Sequence, residues 1–291
     1  MAIYNLGSIN ADYVYRLPSL VRPGETISAG SLDIGLGGKG ANMSVAAARA
    51  AARVVHIGCV GADGDWAVQR LTEYGVDTRH IGRGAHTGHA IITVDDHGEN
   101  AIVIFAGGNG EITSEQIGAA LSDAMVGDIF VTQNETVGQV TGVKMARELG
   151  LRVCFAAAPF SAEAVQAVLP YLDMLILNEI EAEQLEAALG RGLGDLGVAD
   201  VIVTLGSRGC RWIGAKGAVE FDAIVVEAVD TTGAGDTFTG YVLAGLDRGM
   251  PMEQAIGLAT RAAAIMVTRH GTADVIPDLK DIQDRFGGFA G

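Results

Sequence analysis

Short apolar, β-branched runs alternate with longer helical stretches through most of this chain, and that alternation limits its possible folds more than any other feature. Strands are predicted at residues 3–6, 54–59, 129–132, 152–156, 174–177 and 201–205. Helices are predicted between them at 41–52, 65–74, 114–124, 138–149, 162–169 and 179–189. Strands that are apolar on both faces belong in parallel sheets covered by helices on each side. The pattern therefore predicts an α/β fold: three layers around an open, doubly wound, mostly parallel sheet.

Two stretches, about residues 12–34 and 86–105, lack the intervening helix. In the second, Ala90-Ile91-Ile92-Thr93-Val94 and Ala101-Ile102-Val103-Ile104-Phe105 flank a polar loop containing Gly98, which is a hairpin signal. A small antiparallel β lid outside the parallel core accounts for both stretches. With no long linker, repeat or low-complexity tract, residues 1–291 are expected to form one domain carrying that lid. Toward the C-terminus, Phe238, Tyr241, Val242, Gly245 and Leu246 trace the buried stripe of a helix, and a further helix is expected over 253–269, stopping at Gly271.

Charge excludes several classes of function. The chain carries 35 acidic and 20 basic residues, a net −15, with no Lys/Arg cluster to offset it. Nucleic acid and anionic membrane surfaces are therefore not expected partners, and an anionic substrate would need backbone amides, a lone cation or a metal to hold it. No uncharged apolar run reaches the roughly 18–20 residues of a membrane helix. The N-terminal residues lack the basic-then-apolar pattern of a secretory signal, so a soluble cytoplasmic protein is expected. Cys59, Cys154 and Cys210 are odd in number and far apart, as befits reduced thiols rather than disulfides or a zinc site. His56 lies in an apolar run and reads as a core residue; the other histidines show no ligand spacing.

The sharpest motif is Asp230-Thr231-Thr232-Gly233-Ala234-Gly235-Asp236-Thr237-Phe238, which runs into a helix. Amides converging at a helix N-terminus favour an anion. A carboxylate there, Asp236, is placed to accept a hydroxyl proton beside developing phosphoryl charge, although a first-turn acidic residue after a glycine turn fits the same letters. A second cluster, Gly35-Leu36-Gly37-Gly38-Lys39-Gly40-Ala41-Asn42, matches neither a Walker A loop nor a dinucleotide fingerprint. Its amides with Lys39 and Asn42 suit a polyol, or simply a flexible helix entry. A third, Gly7-Ser8-Ile9-Asn10-Ala11-Asp12, follows the first strand, where open α/β sheets bind ligands; Asn10 and Asp12 suit vicinal hydroxyls, but a plain turn reads equally well. Asn178 and Glu181 follow the 174–177 strand, as an N-cap with an acidic first turn or as a place for a hydrated metal ion. No nucleophile elbow or Cys/His pair suggests covalent catalysis.

Taken together, and in this order and spacing, these motifs resemble the ribokinase-like (PfkB-type) carbohydrate kinases over essentially the whole chain. The resemblance implies ATP-dependent phosphorylation of a sugar's primary hydroxyl, with D-ribose as the first expectation. Deoxyribose, a ketohexose, 2-keto-3-deoxygluconate or a nucleoside are alternatives on the same fold, and a non-catalytic sugar or nucleotide sensor is a remote one. It implies Asp236 as base and the Gly233, Ala234 and Gly235 amides as anion hole. Sugar contacts are implied from Asn10, Asp12, Gly38, Lys39, Asn42, Glu135 and Asp236, with Ala90 and Ile92 closing from the lid. Nucleotide contacts are implied from Asn178, Thr204, Gly206, Ser207, Gly209, Gly235 and Thr260. Mg²⁺ would sit near Glu181 through water, and K⁺ by Asp230, Thr232, Met266, Arg269 and Gly271. A homodimer through the lid is implied as well. The chain departs from the family pattern at Ala156-Ala157-Ala158-Pro159 (usually Asn-Pro-Ala-Pro), at Val275 (commonly Ser near the monovalent ion) and in a shortened 187–200 stretch. His89 stands in the lid, where it is expected to bear on sugar choice.

Overall fold

A computed structural model describes residues 1–287, so the last four residues of the expected domain lie outside the described chain. Its strands are β1 (Ile3–Leu6), β2 (Asn10–Arg16), β3 (Ser31–Gly37), β4 (Val54–Val60), β5 (Asp77–Arg83), β6 (Gly88–Val94) and β7 (Asn100–Phe105). These are followed by β8 (Ile129–Gln133), β9 (Arg152–Ala156), β10 (Met174–Asn178), β11 (Asp200–Thr204), β12 (Cys210–Gly214) and β13 (Gly217–Phe221). The α-helices are α1 (Lys39–Arg49), α2 (Asp65–Glu73), α3 (Ser114–Leu121), α4 (Gln139–Glu148) and α5 (Ala162–Val168). Then come α6 (Glu179–Leu189), α7 (Ala234–Asp247), α8 (Met252–Met266) and α9 (Leu279–Phe286).

Nine strands form the main sheet in the order β13-β12-β11-β10-β9-β8-β1-β4-β5. Every pair from β11 to β5 is parallel, and only the β11–β12 and β12–β13 pairs are antiparallel. Successive strand residues face opposite sides. Ile3, Val54 and Val131 pack beneath α1, α7 and α8, while Tyr4, Val55 and Phe130 pack against α3 and α4. Two cores, one on each face, explain why these strands are mostly apolar on both faces. Strand order runs one way from β1 to β5 and the other way from β8 to β11. The reversal between β1 and β8 makes a crevice at the strands' carboxyl ends, the usual ligand position in such sheets.

A second sheet, β3-β2-β6-β7, forms the lid. Its outer pairs, β2 with β3 and β6 with β7, are antiparallel as expected, and its central pair, β2 with β6, is parallel. Both strands leave the body at the same end, β2 directly after β1 and β6 soon after β5, so they must run side by side in one direction. The sequence reading also missed β5, the β12–β13 hairpin and α9. β5 is a polar edge strand with no apolar run, and α9 starts at an Asp278/Asp281 capping box after an irregular segment. No helix among the described residues is long and apolar enough to cross a membrane. Cys59, Cys154 and Cys210 are free and buried, as expected.

Candidate active site

The N-terminus of α7 forms the centre of the site. Gly233 caps the helix with φ of 75°, a left-handed conformation that glycine adopts without strain. Ala234 donates its N–H to the Thr231 carbonyl at 3.2 Å, so this amide of the expected anion hole is already engaged in the turn. Gly235 and Asp236 follow it in the first turn, whose N–H groups have no helical carbonyl ahead of them. Asp236 is only 8% exposed, and its Oδ2 accepts from Asn42 Nδ2 at 2.9 Å. Burial raises its pKa above the ordinary carboxylate value, against the opposing pull of the Lys39 ammonium and the Asn42 hydrogen bond.

The start of α1 faces this carboxylate. Gly38 caps α1 with φ of 93°, and Gly40 packs so closely on the Gly7–Ser8 backbone that a Cβ there would overlap it. Close approach lets the loop after β1 and the start of α1 share one partner. Glu135 Oε2 accepts from Ser8 Oγ at 2.6 Å and from the Lys39 N–H at 3.1 Å, while its Oε1 lies 3.8 Å from Lys39 Nζ. Ser8 Oγ also accepts from the Gly40 N–H at 3.2 Å. Desolvation opposes the charge on Lys39, but Asp236, Glu135, Glu181 and Asp12 together raise its pKa and keep it a cation. One ammonium thus stands among four carboxyl groups, with Glu135 in ion-pair contact.

Asp12 and Asn10 enter from β2. Asn109, missed in the sequence reading, donates Nδ2 to Asn10 Oδ1 at 2.8 Å and to the Ile9 carbonyl at 3.3 Å, and accepts the Ile9 N–H at 2.9 Å. These bonds fix the Asn10 amide with its oxygen engaged, leaving its NH₂ to donate outward. The signal for Asn109 was a lone polar residue within the Gly107–Gly110 run that ends the lid. Ala90 and Ile92 pair with Asp12 and Val14 and so lie on the same lid face as Asp12. His89 lies on the other face, 6.0 Å from the Tyr13 ring and 5.2 Å from that of Phe105. That placement corrects the expectation that His89 bears on sugar choice: the strand alternation turns it away from Asp12.

Burial first, then the Glu135 charge, raises the Asp12 pKa from 3.8 to about 7, despite Lys39. The folded chain therefore keeps a proton that the unfolded chain loses, and this group costs stability that grows as pH rises from 3.8 to about 7 and is constant above. In thermal unfolding scans across this range, Asp12→Asn is expected to gain stability over the parent progressively with pH. A difference that does not change with pH would contradict the assignment.

On the opposite side of α7 lies a cleft of about 350 Å³ lined by Thr204, Gly206, Ser207, Gly209, Gly235 and Thr260 together with apolar side chains. Six of the seven residues expected at a nucleotide thus converge on one cavity. Asn178 does not line it; with Glu181 it forms a reciprocal cap on α6, Asn178 Oδ1 accepting from the Glu181 N–H and Glu181 Oε2 from the Asn178 N–H. Asp230 ties two loops together: Oδ1 accepts from the Thr232 N–H at 2.9 Å and Oδ2 from the Gly271 N–H at 3.2 Å. Met266 offers a carbonyl that accepts from the Arg269 N–H, while its Sδ accepts from Thr237 Oγ1. The Arg269 guanidinium is turned to Asp281 and the Val275 carbonyl.

A doubly wound sheet with a four-stranded lid over a buried carboxylate and an anion-ready helix start defines a kinase of the ribokinase-like fold. The chain belongs to the pfkB family of carbohydrate kinases, whose model matches residues 3–279. It is 34% identical to a ribokinase of Haemophilus influenzae over 95% of each chain. A deoxyribokinase of Salmonella typhi is 31% identical over 98% of each. Among solved structures, that of an Arabidopsis thaliana ribokinase complexed with ribose and ATP superposes with a TM-score of 0.87 at 27% identity, covering 98% of each chain.

Proposed function

We propose that this carbohydrate kinase transfers the γ-phosphoryl group of ATP to the primary hydroxyl of D-ribose, giving D-ribose 5-phosphate and ADP, within a single domain spanning the chain. The observation that carries this reading is the placement of Asp236: buried, held by Asn42, in the first turn of α7 between the polar side chains around Lys39 and the 350 Å³ cleft. Ribose sits among Asn10, Asp12, Gly38, Lys39, Asn42 and Glu135, with Ala90 and Ile92 above it. ATP occupies the cleft, with its terminal phosphate at the Gly235 end. Asp236 takes the proton of the primary hydroxyl as the new O–P bond forms and the bond to the ADP oxygen breaks. The first-turn amides and Lys39 stabilise the charge on the transferred group, and the closed lid excludes water.

The donors present fit the implied ions. Mg²⁺ takes one or two carboxylates together with waters and phosphate oxygens rather than an all-protein cage. Glu181, with Oε1 outside its capping bonds, is the residue to hold a hydrated Mg²⁺, which when bound neutralises phosphate charge. Asp230 is the one anionic side chain among the K⁺ ligands expected. The lid supports a homodimer: all six residues of the edge strand β7 are exposed, with Val103 at 66% and Ile104 at 61%, and an apolar edge of this kind calls for a partner. Light scattering at micromolar concentration is expected to give twice the chain mass, and charged substitutions at Val103 and Ile104 to halve it.

The substrate is tested by ADP release from ATP and Mg²⁺, with and without K⁺, over ribose, deoxyribose, fructose, 2-keto-3-deoxygluconate and adenosine. Ribose is expected to give the highest kcat/KM. Deoxyribose is the second reading, on the strength of the deoxyribokinase relative; a preference for it would keep the mechanism and change the substrate. Sugar binding without turnover of any acceptor would leave a sensor.

A further inference from the structure

Beneath α1, on the face of the main sheet that it covers, polar side chains cross three adjacent strands where an apolar row would be expected. Gln133 at the end of β8, Asn5 on β1 and His56 on β4 are each at most 1% exposed, and Asn5 and His56 are direct register partners. Gln133 Nε2 donates to Asn5 Oδ1 at 2.8 Å. Asn5 Nδ2 donates both to the Gly40 carbonyl at 2.8 Å and to Ser44 Oγ at 2.9 Å, two acceptors one turn apart on α1. Ser44 Oγ lies 2.8 Å from His56 Nδ1, and His56 Nε2 lies 3.1 Å from the Gly7 carbonyl.

The protons in this chain have one consistent arrangement. A carbonyl only accepts, so His56 Nε2 carries the hydrogen toward Gly7 and Nδ1 is left to accept from the Ser44 hydroxyl. Ser44 Oγ in turn accepts from Asn5. A neutral imidazole satisfies every bond, and burial holds the His56 pKa down at about 4, so neutral is its state near pH 7. The chain begins and ends on the pieces of backbone that carry the site. Gly7 precedes Ser8, which Glu135 holds, and Gly40 lies between Lys39 and Asn42, the latter bonded to Asp236. Apolar packing alone would let a helix shift along a sheet by fractions of an ångström, whereas directed bonds to two turns of α1 fix its axial position. Asn5, Ser44 and His56 are all hydrogen-bonded, whereas Gln133 Oε1 is buried without a partner in the chain.

We infer that Asn5, Ser44 and His56 form a positioning strut that sets the start of α1 and the Gly7–Asn10 loop for the acceptor sugar. The inference rests on the proposed sugar site, and the experiment separates the two. Steady-state kinetics with ribose and ATP are compared for the parent, His56→Phe, Ser44→Ala, His56→Gln and Asp12→Asn. In His56→Phe the Gly7 carbonyl loses its donor, and the ribose KM is expected to rise roughly ten-fold while the ATP KM stays within about two-fold, as suits a small misplacement on the sugar side only. His56→Gln, whose amide supplies a donor again, is expected to recover most of that loss. If His56→Phe does not fold, Ser44→Ala gives the same reading. Ribose and ATP KM values that rise together, a ribose KM that does not move, or no recovery in His56→Gln would overturn the strut. An unchanged ribose KM in Asp12→Asn would overturn the sugar site itself.

Discussion

Turnover by Asp236→Ala protein is expected to fall about 10²–10⁴-fold, the range lost when a positioned proton acceptor is removed. ATP binding should change little, because Asp236 is not among the residues that line the cleft, which are Thr204, Ser207, Thr260, glycines and apolar side chains such as Val226 and Phe238. Asp236→Asn sharpens the test. Its amide fills the same space and bonds Asn42, but it cannot take a proton, so it should lose nearly as much as alanine. Single-turnover phosphoryl transfer, read as ribose 5-phosphate formed, separates chemistry from product release. Near-parental turnover in either variant would remove Asp236 from the role of base.

Gly40→Ala is expected to damage the enzyme by a steric route that changes no polar side chain. A methyl group at Gly40 presses on the Gly7 and Ser8 backbone, so the loop after β1 and the start of α1 must separate. The Gly40 N–H to Ser8 bond and the Glu135 bridge then cannot both keep their lengths. Overpacking of this kind costs about 1–3 kcal/mol, and the displaced loop should lower kcat/KM for ribose by roughly 10²-fold. Denaturant unfolding and kinetics on one preparation test both parts. Parental values in both would show that the loop yields without consequence.

The parallel sheet was legible because both of its faces are buried: Val54–Val60, interrupted only by His56, and Met174–Asn178, polar only at its last residue, read as apolar runs, and the helices between them keep their period. Helix α6 was placed to the residue because Asn178 and Glu181 form a cap that the letters already suggest. β5 and the β12–β13 hairpin escaped because they lie at the two ends of the sheet, where part-exposed strands need no apolar run, and their residues alternate with Arg79, Arg211 and Glu220. Of the site, the glycine clusters and Asp236 could be singled out by composition alone. That Ala234 donates to Thr231, that His89 turns away from Asp12, or that Asn109 orients Asn10 depends on turn geometry, strand register and a partner 99 residues distant. His56 shows the limit most plainly. It was read as a core residue and is one, yet a single histidine letter gives no sign of the Ser44 hydroxyl and Gly7 carbonyl on its two nitrogens.

The parallel pairing of β2 with β6 has a mechanical consequence. Asn10 and Gly88 face each other at the root of those two strands, next to the body, while Arg16 and Val94 face each other at the far end. Asn10, Asp12 and Ala90 thus lie near the root of the lid, and the turn around Gly98 lies at its tip. A rigid swing about that root would displace each residue in proportion to its distance from it, carrying the Gly98 turn far and Asn10 little. On the proposed sugar site, substitutions in the outer arm are then expected to change sugar association and release more than the contacts at Asn10 and Asp12.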